Sequence, residues 1–339
     1  MQPDGSELKL YPNAPGSRTM KHHNLKATPQ TVHLGGFSPH LVPALQIDSG
    51  DRVDVETYTG YHLCDRAPDE FLTPELLDIY RHLSPDRKVG DGPHLLTGPI
   101  EVRDARPGDV LEIKLEAIAP RLAMGFNAIR SGWGALPQRF ERSHLEFLPL
   151  DLEAGVAEFP ANSGIRVPLH PFFGILGVAT DDRNRSSVPP GVYGGNLDNR
   201  ELQAGSRMFL PVFRPGALFS IGDGHAAQGD GEVNVTAIET SMNGTIQIQL
   251  RRDLWFDAPF AETPTDFITM GFAPTLDEAF EQALTRAIAF LTQFTSLSDR
   301  QAYTLCSLAV NFRITQVVNR PNKGVHGLIP KSILPDLQW

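Results

Sequence analysis

Apolar and charged side chains alternate along much of the first 250 residues of this chain. In 51–57, Val53, Val55 and Thr57 alternate with Arg52, Asp54 and Glu56; in 110–118, Leu111, Ile113 and Leu115 alternate with Glu112, Lys114 and Glu116. A period of two puts one set on a core face and the other toward solvent, so both stretches read as half-buried strands. Residues 32–34, 44–47, 95–101, 208–213, 217–221, 246–250 and 314–318 read as further strands, and the glycine-bearing apolar run 172–178 as a fully buried one. Asp48-Ser49-Gly50-Asp51 and Arg106-Pro107-Gly108-Asp109 have the composition of turns between strands. From 121 to 169 no period holds and the chain reads as irregular. Within it, 125–137 is expected to be a loop at the rim of a pocket, capped by Trp133; the alternative is a surface loop anchored by that tryptophan.

Helical spacing is sparser. Pro74 after Thr73 starts a short helix over 74–83. Beyond residue 250 two capping boxes occur, Thr275 to Glu278 and Ser298 to Gln301. Leu276, Phe280, Leu284, Ile288 and Leu291 follow the first at helical spacing, and Leu305, Leu308 and Phe312 lie behind the second, so a helical hairpin is expected. The predicted fold class is mainly β, a sandwich or barrel-like body of many short strands, with a smaller C-terminal α/β portion containing the hairpin. An N-terminal arm over 1–30, a β-rich body over 31–250 carrying the main site loops, and a C-terminal portion over 251–339 are expected to pack as one unit, without linker or internal repeat.

Composition supports short strands and turns, with 30 glycines and 28 prolines among 339 residues, of which 41% are hydrophobic. Forty acidic against 30 basic residues give a net charge of -10 with no basic block, which argues against nucleic acid or an anionic membrane as partner. No basic segment with an apolar run opens the chain and no stretch of about 18 apolar residues occurs, so a cytoplasmic protein is expected. Cys64 and Cys306 stand far apart in no metal-type pair; they read as reduced, buried thiols, with a disulfide as the open alternative.

The chemistry concentrates in Gly222-Asp223-Gly224-His225-Ala226-Ala227-Gln228-Gly229-Asp230-Gly231-Glu232. These side chains fill no core, and four glycines permit sharp turning, so the segment reads as a site-forming loop between strands 217–221 and 232–240. Gly195-Asn196-Leu197-Asp198 is a second polar cluster of the same kind. The plainer alternative is that these are ordinary turns whose aspartates cap their own backbone.

The same segment resembles the signature of the acetamidase/formamidase family. Thr31-Val32-His33, Asp48 to Asp51, Leu96-Thr97-Gly98-Pro99 and Pro107-Gly108-Asp109-Val110 extend the match through the N-terminal half; His170 to Gly174, Gly195 to Asp198, Leu210-Pro211-Val212 and Thr315 to Asn319 extend it through the rest. The resemblance implies hydrolysis of a short amide, of the formamide or acetamide type, to carboxylate and ammonia, and assembly as a homo-oligomer.

An amide resists attack, so its hydrolysis needs an activated nucleophile, a stabilised oxyanion and a proton for the departing nitrogen. No Gly-x-Ser-x-Gly elbow is present and both cysteines sit in packing contexts, which disfavours a covalent route. Carboxylates with imidazole suit a divalent metal, zinc first, with calcium, magnesium or manganese as alternatives, although neither His-Glu-x-x-His nor Cys-x-x-Cys occurs. Asp223, His225 and Asp198 are the expected ligands, with Glu232, at the start of a strand, as general base beside catalytic His225. Asn196 and Gln228 are expected to donate to substrate, and His94, in the turn 91–94, to line its site. His33 and His170 also fall at family positions but read as packing residues. Two alternatives stay open: a binding module for a cation or small amide without catalysis, and an esterase of the same mechanism. Leu34 stands where related sequences carry an aromatic residue, which would enlarge a pocket bordered by that position.

Overall fold

The alternating stretches pair as their period requires. A computed structural model describes residues 19–180, 183–334 and 337. A nine-stranded sheet orders His22–Leu25, Arg52–Glu56, Met242–Arg251, Val110–Pro120, Arg207–Pro211, Phe260–Glu262, Asp266–Ala273, Lys323–Pro330 and Asn311–Gln316. A twelve-stranded sheet is centred on Phe219–Ala227, which lies between Ile238–Glu239 and Phe172–Val178 and also pairs with Leu95–Val102. The main core forms between the two. Val53, Ile113, Met208 and Ile246 come from the first sheet, and Leu96, Ile175, Leu176, Phe219 and Ile221 from the second. The molecule is thus mainly β, as expected. The nine-stranded sheet passes through the boundary drawn at residue 250, and Ile268, Met270 and Leu328 share the same core.

Three α-helices occur among the described residues: α1 (Pro74–His82), α2 (Leu276–Phe294) and α3 (Asp299–Ala309). Thr73 caps α1 by accepting from the Leu76 amide, and both capping boxes form. The buried faces of the hairpin differ from the spacing of large residues. In α2 the inward residues are Ala279, Ala283, Ala287, Phe290 and Leu291, while Phe280 is exposed; in α3 they are Ala302 and Cys306, while Leu308 is exposed. Close approach to the sheet selects the small ridge. A Cβ added at Gly271 on strand Asp266–Ala273 would lie 1.9 Å from the Ala279 carbonyl oxygen, so the backbones nearly touch there. None of these helices is long and apolar enough to cross a membrane.

Several segments depart from expectation. The stretch read as irregular contains strands Met124–Ile129, His144–Asp151, Val156–Glu158 and Arg166–Pro168, which extend the twelve-stranded sheet outward. Residues 22–25 of the expected arm are an edge strand in parallel register with 52–55, and 1–18 lie outside the described residues. Lys323–Pro330 is a strand that pairs on both sides within the nine-stranded sheet. Cys64 and Cys306 are free and buried.

Candidate active site

The organising segment is a strand over most of its length. Phe219–Ala227 is buried throughout and runs antiparallel to Phe172–Val178, with Phe172 opposite His225 and Ile175 opposite Gly222. The two glycines within the strand, Gly222 and Gly224, answer to space and not to turning. A Cβ at Gly222 would lie 2.7 Å from the Leu95 carbonyl oxygen, and one at Gly224 would lie 2.4 Å from that of Thr240. Left-handed backbone also falls on the acids themselves: Asp198 at φ 45, Asp223 at 57 and Glu232 at 45. Each such residue costs about 1–3 kcal/mol, and strain of this kind concentrates where side chains must be aimed. Beyond Gln228 the chain turns away, and the only strand in the expected 232–240 run is Ile238–Glu239. Glu232 therefore begins no strand. Its backbone is held by the neighbouring Gly231, whose amide donates to Thr315 O and whose carbonyl accepts from Val317 N.

Five ionisable side chains meet there: Asp198, Asp223, His225, Glu232 and Glu239, all buried. His225 Nε2 lies 3.3 Å from Asp223 Oδ2 and 3.3 Å from Glu239 Oε2. Gln228 sets the imidazole tautomer. Its amide nitrogen donates to the Asp198 carbonyl at 2.8 Å, so its Oε1, 2.9 Å from His225 Nδ1, accepts from that nitrogen. Nε2 is left facing two carboxylates with no hydrogen-bond partner, and Asp198 Oδ1 and Glu232 Oε2 are likewise buried without one. Asn319 fixes Asp198 from the other side, donating to Oδ2 at 2.5 Å, and Gln316 Oε1 accepts from the Val318 and Asn319 amides.

Room for the cluster comes from Gly174. A Cβ at that position would lie 2.5 Å from Asp198 Oδ1, 2.8 Å from Asp223 Oδ2 and 2.9 Å from His225 Cε1. Two overlapping sets, Asp198 with Asp223 and His225, and His225 with Glu232 and Glu239, bring one ligand atom from each residue within 4.8 Å of the others. Unpaired buried acceptors converging on a space that a methyl group would fill fit a divalent cation.

The electrostatics agree with the geometry. Burial opposes charge on His225, but Glu239 and Asp223 outweigh it and hold its pKa well above the usual value. Burial likewise opposes ionisation of Asp223, but His94 and His225 keep it low. Burial raises Asp198 to about 7 and, with the charge of Asp198, lifts Glu232 well above the ordinary carboxylate range. Four buried carboxyls around one imidazole cannot all be ionised unless positive charge joins them.

A cavity of about 360 Å³ opens over this floor, lined among others by Asn196, Asp223, Glu232, Glu239, His94 and Trp133. Asn196 and His94 line the same cavity as the acids, with His94 Nδ1 2.9 Å from Ser187 Oγ and Nε2 4.0 Å from Asp223 Oδ2. Gln228 lies behind His225 and does not line this cavity. Trp133 lines the rim as expected, although 125–129 of its expected loop is strand. Leu34 pairs with Leu95 and is absent from the lining, so its size does not set the width of the cavity. His33 is buried and bonded to Ser220 Oγ at 2.9 Å, as a packing histidine. Glu239 and Asn319 were not singled out from sequence. Glu239 carried no turn or glycine signal, and its approach to His225 depends on the pairing of Ile238–Glu239 with Phe219–Ala227.

The profile of the Acetamidase/Formamidase family matches residues 87–185 and 181–264, a span that contains all five clustered residues. The crystal structure of a predicted acetamidase/formamidase from Thermoanaerobacter tengcongensis is similar with TM-score 0.80 and 29% identity, covering 94% of this chain and 99% of that one. An acetamidase structure from Bacillus halodurans gives TM-score 0.80 and 29% identity over 93% of this chain and 100% of that one. A formamidase of Methylophilus methylotrophus is 29% identical over 169 residues, 43% of this chain and 41% of that one.

Proposed function

Because the chain belongs to the acetamidase/formamidase family and is an amidohydrolase of short linear amides, we propose that a divalent cation in the buried cluster drives this hydrolysis. One observation carries the proposal: His225 Nε2, its tautomer set by Gln228, lies 3.3 Å from each of two carboxylates and makes no hydrogen bond. Asp198, Asp223 and His225 would hold the ion, and Glu239 lies 3.3 Å from the same imidazole. Zinc is the first metal to test because an imidazole nitrogen is present; the oxygen majority also suits manganese, magnesium or calcium. Such an ion supplies Lewis acidity, polarising a carbonyl and lowering the pKa of water from ~15.7 toward ~7.

The protein's own groups do the rest. Glu232, buried at the cavity floor with an Oε2 that has no hydrogen-bond partner, would take a proton from the attacking water and return it to the leaving nitrogen. Asn196, whose Oδ1 also lacks a partner, and His94 hold the amide with its carbonyl toward the cluster. Burial lowers the pKa of His94 although Asp223 and Glu239 pull it up. A soluble cytoplasmic homo-oligomer remains part of this proposal.

The test is ammonia release from formamide and acetamide, with metal content measured before and after chelation. Activity that falls with the metal and returns on its addition is expected. Full turnover by metal-free protein would refute the role of the cation.

A further inference from the structure

The cavity is large for the amides its relatives are named after. At about 360 Å³ it falls in the range of pockets that hold drug-sized ligands, whereas acetamide has four non-hydrogen atoms. Above the polar floor its wall turns apolar, with Leu95, Phe126 and Val188, and at the rim it carries Arg130 beside Trp133. Arg130 is half-buried at the end of strand Met124–Ile129, and among the described residues no carboxylate lies within ion-pair distance of it. Among the described residues its one side-chain hydrogen bond is with His62 Nε2 at 3.5 Å. A guanidinium can only donate, so the imidazole nitrogen that faces it is unprotonated and leaves the charge of Arg130 unneutralised. The other charged group of the rim, Asp91, accepts from Ser186 Oγ at 3.3 Å, and among the described residues it pairs with no cation.

Resting on the amidase reading above, we propose that the preferred substrate is an ω-amide of a short dicarboxylic acid, with its amide at the acid cluster, its methylenes on the apolar wall and its free carboxylate on Arg130. A guanidinium presents a planar fork of donors that matches a carboxylate in a bidentate pair. An apolar stem satisfies the middle of the cavity, and an anion is accepted only at the rim because the floor is itself acidic. Arg130 is then a specificity residue remote from the reacting atoms, so its loss raises KM for the anionic amide more than it lowers kcat.

The experiment compares kcat/KM for succinamate and glutaramate with that for the neutral amides valeramide and hexanamide, in the wild type, Arg130→Gln and Arg130→Lys. The wild type should prefer the anionic member of each pair by at least about tenfold, as expected for one charge-assisted pair of about 1.5–3 kcal/mol. The preference should vanish in Arg130→Gln, survive in part in Arg130→Lys, and shrink as ionic strength rises. Equal or better use of valeramide by a wild type that still hydrolyses acetamide would overturn the proposal and leave the amidase reading intact. A preference for succinamate unchanged in Arg130→Gln would overturn the role of Arg130. No ammonia from any amide would sink the amidase reading and this proposal with it.

Discussion

Gly174→Ala isolates the packing on which the cluster depends. Gly174 has ordinary extended backbone in strand Phe172–Val178, so alanine is conformationally permitted and by itself would stabilise the chain by about 0.4–1 kcal/mol. Against this, its methyl group would sit 2.5 Å from Asp198 Oδ1, and reaching an ordinary contact of 3.4 Å requires a shift of about 0.9 Å. Overpacking of this kind costs about 1–3 kcal/mol, so the net loss of stability should be about 1–2 kcal/mol and the protein should remain folded. The effect on turnover should be far larger, because a 1 Å misplacement of a catalytic group costs about 100-fold. The variant should therefore show a denaturation midpoint near that of the wild type, kcat/KM for acetamide lowered at least about 100-fold, and reduced bound metal. Wild-type turnover with full metal content would refute the claim that this glycine makes the space in which the groups converge.

Glu232→Gln should lower kcat by about 100-fold to 10,000-fold while sparing bound metal, and loss of metal with normal turnover would contradict the roles assigned here. Gln228→Leu removes the acceptor on His225 Nδ1, and metal affinity measured by competition with a chelator should weaken about 10-fold to 100-fold. His326 is buried, and burial, aided by the charges of Arg313 and Arg200, lowers its pKa from 6.5 to about 3. The unfolded chain therefore binds the proton more tightly, and the stability from this group is complete above pH 6.5 and is lost as pH falls toward 3. From pH 7 to 5 the loss is about 2 kcal/mol, and urea midpoints of His326→Gln should fall less steeply over that range than those of the wild type; parallel curves would refute this.

The elements were legible wherever one face of a segment meets water. Strands Arg52–Glu56 and Val110–Pro120 show alternation because solvent lies on one side of them, and both capping boxes announced their helices because they act within four residues. The hairpin's inner faces were not legible. The helix surface that a sheet accepts depends on how closely the backbones approach, and at Gly271 that distance favours alanines over the larger side chains nearby.

At the site, the sequence alone marked Asp198, Asp223, His225 and Glu232, because polar residues crowded among glycines serve no core. It misread the local form, since glycines needed for close approach look the same as glycines needed for turning. Only tertiary structure brought Glu239 to within 3.3 Å of His225, set Asn319 on Asp198, and left the hole at Gly174. Each of these joins segments distant along the chain, and pairing between strands, which no local pattern encodes, decides which of them meet.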